Sequence, residues 1–104
     1  MSKNTKNKFL KVSEDGHVFV FKYDKDDPTQ LHITVRHLTE IDDALDTFFD
    51  KEAECIWNAK NKRFQTYSKT HTLFWFWLNE PKKEVMIISC IANEGGIYKS
   101  GDES

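Results

Sequence analysis

The sequence predicts an α+β fold: an antiparallel sheet of four to five strands, laid out as β-hairpin, helix and β-meander, packed on one main helix. Three observations predict it. HVFVFKY and QLHITVRHL, around residues 17–23 and 30–38, combine alternation with β-branched and aromatic residues. Ile41, Ala44, Leu45, Phe48 and Phe49 recur at helical spacing. TLFWFWL and EVMIISCIA are two long apolar runs joined by the short polar turn NEPKK.

Taken in order, residues 1–8 are polar and Lys-rich, and they read as a flexible tail. His17 to Tyr23 is the first strand. DKDDP follows as turn chemistry, with aspartates that bond their own backbone and a proline that presets φ. In QLHITVRHL, Leu31, Ile33 and Val35 point one way while His32, Thr34 and Arg36 point the other, which completes a hairpin. Thr39 is the expected N-cap of the helix, with Glu40, Asp42 and Asp43 at the end where the helix dipole favours acids. Ala53 and Ile56 keep to the apolar side, so the helix extends to Asn58. The alternative is a stop near Asp50 with CIW as a short strand. RFQTYS, TLFWFWL and EVMIISCIA then form the meander. Residues 95–104 read as a second flexible tail, leaving 9–92 as a single domain, the size that 104 residues support.

Composition excludes several classes. With 15 basic and 17 acidic residues the net charge is −2, and general nucleic-acid binding draws on a positive excess. No apolar run approaches the roughly 18 residues of a membrane span, and MSKNTKNK lacks the apolar core of a signal peptide. Cys55 and Cys90 are too few for a disulfide framework and fit reduced thiols in the cytoplasm. His17, His32, His37 and His71 have no zinc-site spacing, so no metal and no cofactor is expected. Asp24-x-Asp26 follows an apolar strand in the manner of a phosphate-transfer motif, but Pro28 stands where that chemistry needs a hydroxyl. The segment is a solvated turn.

Three sets of residues remain as candidates for function. A half-exposed strand alternates apolar with polar residues, yet Leu73, Trp75 and Trp77 on one face and Phe74, Phe76 and Leu78 on the other are all apolar. One helix, about 10 Å wide, covers about two strands of one face. The second face must therefore be closed by curvature of the sheet, by a second copy, or by another protein. The leading expectation is a non-catalytic protein-binding module, with Trp75 and Trp77 supplying affinity and His32 and Arg36 supplying polar complementarity. An inhibitor, immunity or anti-defence accessory protein of a phage or plasmid fits that description. Second, Arg63 and Lys69 flank Phe64 and Tyr67, the basic–aromatic mixture that holds single-stranded RNA. Third, His32, Thr34 and Arg36, if joined by Tyr67, Lys69 and His71, would assemble the acid, base and cation of a small metal-independent ribonuclease.

Overall fold

A computed structural model describes residues 9–93, and these build one mixed six-stranded sheet with two short helices on one face. In chain order the elements are β1 (Phe9–Glu14), β2 (His17–Lys22), α1 (His32–His37), α2 (Ile41–Phe49), β3 (Glu54–Asn58), β4 (Arg63–Tyr67), β5 (His71–Asn79) and β6 (Glu84–Ala92). The sheet order is β1-β2-β6-β5-β4-β3; β2 runs parallel to β6 and every other pairing is antiparallel. This corrects the expected antiparallel α+β sheet of four to five strands on one main helix. The two tail assignments lie outside the described residues.

The first correction is the hairpin partner of β2. Asp15 and Gly16 both adopt positive φ, 50° and 79°, the conformation of a two-residue turn whose twist matches its strands. They fold FLKVSE back as β1 onto β2. With β6 on its other side, β2 has no free edge left for QLHITVRHL. Asp24 then ends the strand: its Oδ2 accepts the backbone N–H groups of Asp26 and Asp27 at 2.9 and 3.1 Å. One isolated bridge, Tyr23 to Leu31, is all that forms of the expected pairing. The chain turns into α1 instead, burying Leu31 and Ile33 and stopping at Leu38 in the left-handed region.

The second correction is the end of the main helix. α2 closes at Phe49, and the Asp50 backbone and carboxylate take up the N–H groups of Ala53 and Glu52. CIW is therefore strand, the alternative reading, and residues 59–62 turn it back onto β4. At the start of α2, Glu40 and not Thr39 is the N-cap, in a reciprocal capping box with Asp43. Thr39 is buried and its hydroxyl donates to Cys90 O at 2.8 Å, tying the α1–α2 corner to the sheet.

The runs TLFWFWL and EVMIISCIA pair antiparallel as β5 and β6. A register shift between Phe74 and Trp75 leaves Ile88 unopposed, so that Val85, Ile87 and Cys90 all end up fully buried in the core. Strict alternation would place Cys90 opposite Val85. Burial pushes the Cys90 thiol up to about 12, Asp43 adds to this, and a hydrogen bond from Thr39 opposes it. Cys55, by contrast, is exposed. Native protein at pH 8 is expected to take up one equivalent of a thiol-titrating disulfide reagent, and a second only on denaturation. Two fast equivalents would contradict this placement.

Candidate functional site

The residues singled out from the sequence are spread over the molecule. Trp75 is 6% exposed and lies in the core beneath α2. It stacks on Phe64 at 4.6 Å, meets the edge of Phe48 at 4.9 Å, and its indole N–H donates to the Thr66 hydroxyl at 2.9 Å. Trp77 stands beside it, half-buried and edge-on at 5.2 Å. The Trp75/Trp77 face is thus the roofed face of the sheet. On the other face Val20 and Phe74 are nonetheless buried, and the Arg63 guanidinium lies 4.5 Å over the Phe74 ring.

The basic–aromatic group on β4 is divided by the pleat. Phe64 turns toward the core, while Arg63, Gln65 and Tyr67 take the opposite face, where Asn58 donates to Gln65 and Gln65 to the Tyr67 hydroxyl. Lys69 sits in the turn beyond Tyr67, and His71 stands 3.9 Å from Asp43. His32 and Arg36 are on α1. The structure does not bring Tyr67, Lys69 and His71 to them.

It does bring other residues. The end of β2, the turn after it and α1 enclose an open cleft of about 500 Å³ lined by Lys22, Tyr23, Lys25, His32, Arg36 and His37. The construction starts from Asp24, whose carboxylate is buried in its own turn. Its Oδ1 accepts from Arg36 Nε at 3.0 Å and lies 3.7 Å from His32 Nδ1. Arg36 also donates to Asp26 at 2.6 Å, so two carboxylates hold the guanidinium in one orientation. Burial alone would raise the Asp24 carboxyl; the Asp26 N–H and the Arg36 hydrogen bond outweigh it and hold the group ionised, below its ordinary value. Asp24 is thus the brace of the cleft.

His32 and His37 face each other edge to plane, ring centroids 5.7 Å apart. Both are pulled below the ordinary imidazole value. For His32 the causes are burial and then Lys22, with Asp24 pulling the other way. For His37 they are burial, His32 and Arg36. Among the described residues Lys22 and Lys25 have no ion-pair partner. Lys22, Lys25 and Arg36 stand with three carboxylates of the same turn, Asp24, Asp26 and Asp27, at neutral pH, and protonation of the two histidines adds up to two positive charges. The cleft presents two free lysines and two groups able to move a proton beside them. Elsewhere Glu14, Asp15, Asp42 and Asp46 line a separate acidic cleft of about 640 Å³.

Sequence reasoning found two of the six lining residues and missed Lys22, Tyr23, Lys25 and His37. No group of three or more His, Cys, Asp or Glu residues among the described residues is placed to hold a metal ion. No helix among them is long and apolar enough to cross a membrane. Compared with protein-family models, with curated proteins and with solved structures, the chain matches none.

Proposed function

We propose that this chain acts on single-stranded RNA, receiving a backbone phosphate in the α1 cleft and cleaving beside it without a metal ion. The observation that supports the reading is the convergence of Lys22, Lys25, Arg36, His32 and His37 on one open cleft. Lys22 and Lys25 meet the non-bridging phosphate oxygens, and Arg36, fixed by Asp24 and Asp26, orients the group. His37, which has no carboxylate among the causes of its shift and no ion pair among the described residues, takes the proton from the ribose 2′-hydroxyl. The 2′-oxygen attacks phosphorus and the bond to the 5′-oxygen breaks. His32, 3.7 Å from the Asp24 carboxylate, gives its proton to that leaving oxygen. The products are a 2′,3′-cyclic phosphate and a free 5′-hydroxyl, with protons and electrons balanced and no co-reactant consumed.

Binding is tested first, by fluorescence anisotropy of a labelled single-stranded RNA at rising salt. Lys22→Ala and Lys25→Ala are each expected to weaken binding and to lower the slope of log affinity on log salt by about one. Arg63→Ala, on β4 and three strands away from β2, is the control and leaves the slope unchanged. Affinity insensitive to both lysines, or lost only with Arg63, sinks the reading.

The protein-binding reading retains one specific observation of its own. Ile56 and Trp57, 40% and 50% exposed, sit on an outer strand of the sheet, away from the cleft.

A further inference from the structure

On the helix face of the sheet a row of aromatic rings runs outward from the core. Register sets Trp75 on β5 opposite Phe64 on β4, and Phe64 opposite Trp57 on β3. Trp57 rests on Phe64 with ring centroids 4.8 Å apart, and Trp77 stands two residues beyond Trp75 on the same face. α2 packs on β4, β5 and β6 but does not reach β3, so the row outruns its roof. Past the helix the rings open into a cleft of about 380 Å³. Trp57, Phe64, Phe76 and Trp77 form its apolar surface, and Lys62 and Glu80 supply its charge. Both charged residues sit in turns at one end of the sheet, Lys62 just before β4 and Glu80 just after β5. None of the six lines the α1 cleft.

We propose that this aromatic cleft is a nucleotide site, taking a flat base with an exocyclic amine against Trp57 and Trp77. The chemistry of the lining selects that ligand. Its apolar part is wholly aromatic, and ring faces favour a planar π-system over an aliphatic chain. Its two charges are opposite in sign, and among the described residues neither has an ion-pair partner, not even the other. A simple cation would meet Lys62, and a simple anion would meet Glu80. A nucleotide suits both. Its phosphate pairs with the Lys62 ammonium, while the amine of its base donates to the Glu80 carboxylate. Uracil presents a carbonyl oxygen where cytosine presents that amine, so the site distinguishes the two. The proposal does not depend on cleavage in the α1 cleft, because the two sites share no residue.

Tryptophan fluorescence reports this cleft selectively. Trp57 and Trp77 line it, Trp75 is buried, and the α1 cleft has no tryptophan. CMP, cytidine and UMP are titrated into the full chain, and CMP is expected to quench and to bind more tightly than either of the others. Trp57→Ala, at an exposed position, should weaken CMP roughly 5- to 100-fold with the fold intact by circular dichroism. Trp57→Phe, which keeps a ring face, should recover most of that loss. Lys62→Ala should erase the preference for CMP over cytidine, and Glu80→Gln the preference over UMP. General destabilisation cannot produce such selective losses. Lys22→Ala alters the α1 cleft alone and should leave the quenching unchanged, so failure of one site is read separately from failure of the other. Oligodeoxycytidine that binds more tightly than CMP identifies a strand as the source of the base, and equal binding identifies a free nucleotide. Absence of quenching by CMP, quenching indifferent to Trp57→Ala, or UMP bound as tightly as CMP overturns the proposal. So does binding of free phenylalanine, which also carries a ring and both charges, where CMP does not bind.

Discussion

Replacing His32 or His37 with alanine is expected to lower the rate of RNA cleavage about 10²- to 10⁴-fold each, the range that positioned proton transfer contributes. Both side chains are partly exposed on a short helix whose buried anchors are Leu31 and Ile33, so the fold should persist. The pH profile carries more information than the loss itself. Cleavage requires His37 neutral and His32 protonated, so the rate rises with pH as His37 gives up its proton and falls as His32 does. Burial and neighbouring cations pull both groups downward. The maximum should therefore lie on the acid side of the ordinary imidazole value of about 6.5. Removing either histidine should abolish one limb of the bell. Linkage gives an independent sign. A histidine whose value is depressed on folding stabilises the native state above about 6.5 and loses that contribution as pH falls through its folded value. Unliganded protein should weaken there, and bound phosphate should oppose the weakening.

Trp75→Ala should cost about 3–5 kcal/mol of stability, a large share of the roughly 5–15 kcal/mol typical of a domain. The side chain joins the packing of α2 to that of the sheet through Phe48 on one side and Phe64 on the other, and its removal leaves a cavity between them. Trp75→Phe separates packing from hydrogen bonding. It keeps a ring in place but leaves the buried Thr66 hydroxyl without the indole donor, for about 1–3 kcal/mol. Urea denaturation of the three proteins measures both steps. A fully folded Trp75→Ala protein of near wild-type stability would mean that this tryptophan is not core.

The differences between sequence and structure have local physical causes. β2, β4, β5 and β6 declare themselves through β-branched and aromatic runs, and α2 through its apolar period. β1 is fainter, because Phe9, Lys11 and Ser13 are exposed and only Leu10 and Val12 face the core. Its visible signal is the Asp15-Gly16 pair before HVFVFK. HITVRH alternates as a strand does. What removes it from the sheet is the occupation of both sides of β2, a property of partners distant in sequence. The bulge at Ile88 is equally non-local and moves Cys90 across the sheet. The candidate site was one-third legible, two lining residues of six, for a geometric reason. His32 and Arg36 share a face whether the segment is a strand at period two or a helix at spacing i, i+4. His37 shares their side only on a helix, where one residue is a rotation of about 100° and not a reversal. Lys22, Tyr23 and Lys25 join them only once the Asp24 turn has folded the chain back.

The most direct test of the central claim is product analysis by mass spectrometry. A single-stranded RNA of mixed sequence and the DNA of the same sequence are incubated with the protein in EDTA near pH 6. The expected result is RNA cut to fragments ending in 2′,3′-cyclic phosphate and beginning with a free 5′-hydroxyl. The DNA, which lacks the attacking 2′-oxygen, should be intact, and a His32→Ala/His37→Ala protein prepared in parallel should leave both strands whole. Uncut RNA, DNA cut as readily as RNA, or cleavage that survives the double substitution would contradict the assignment of the α1 cleft.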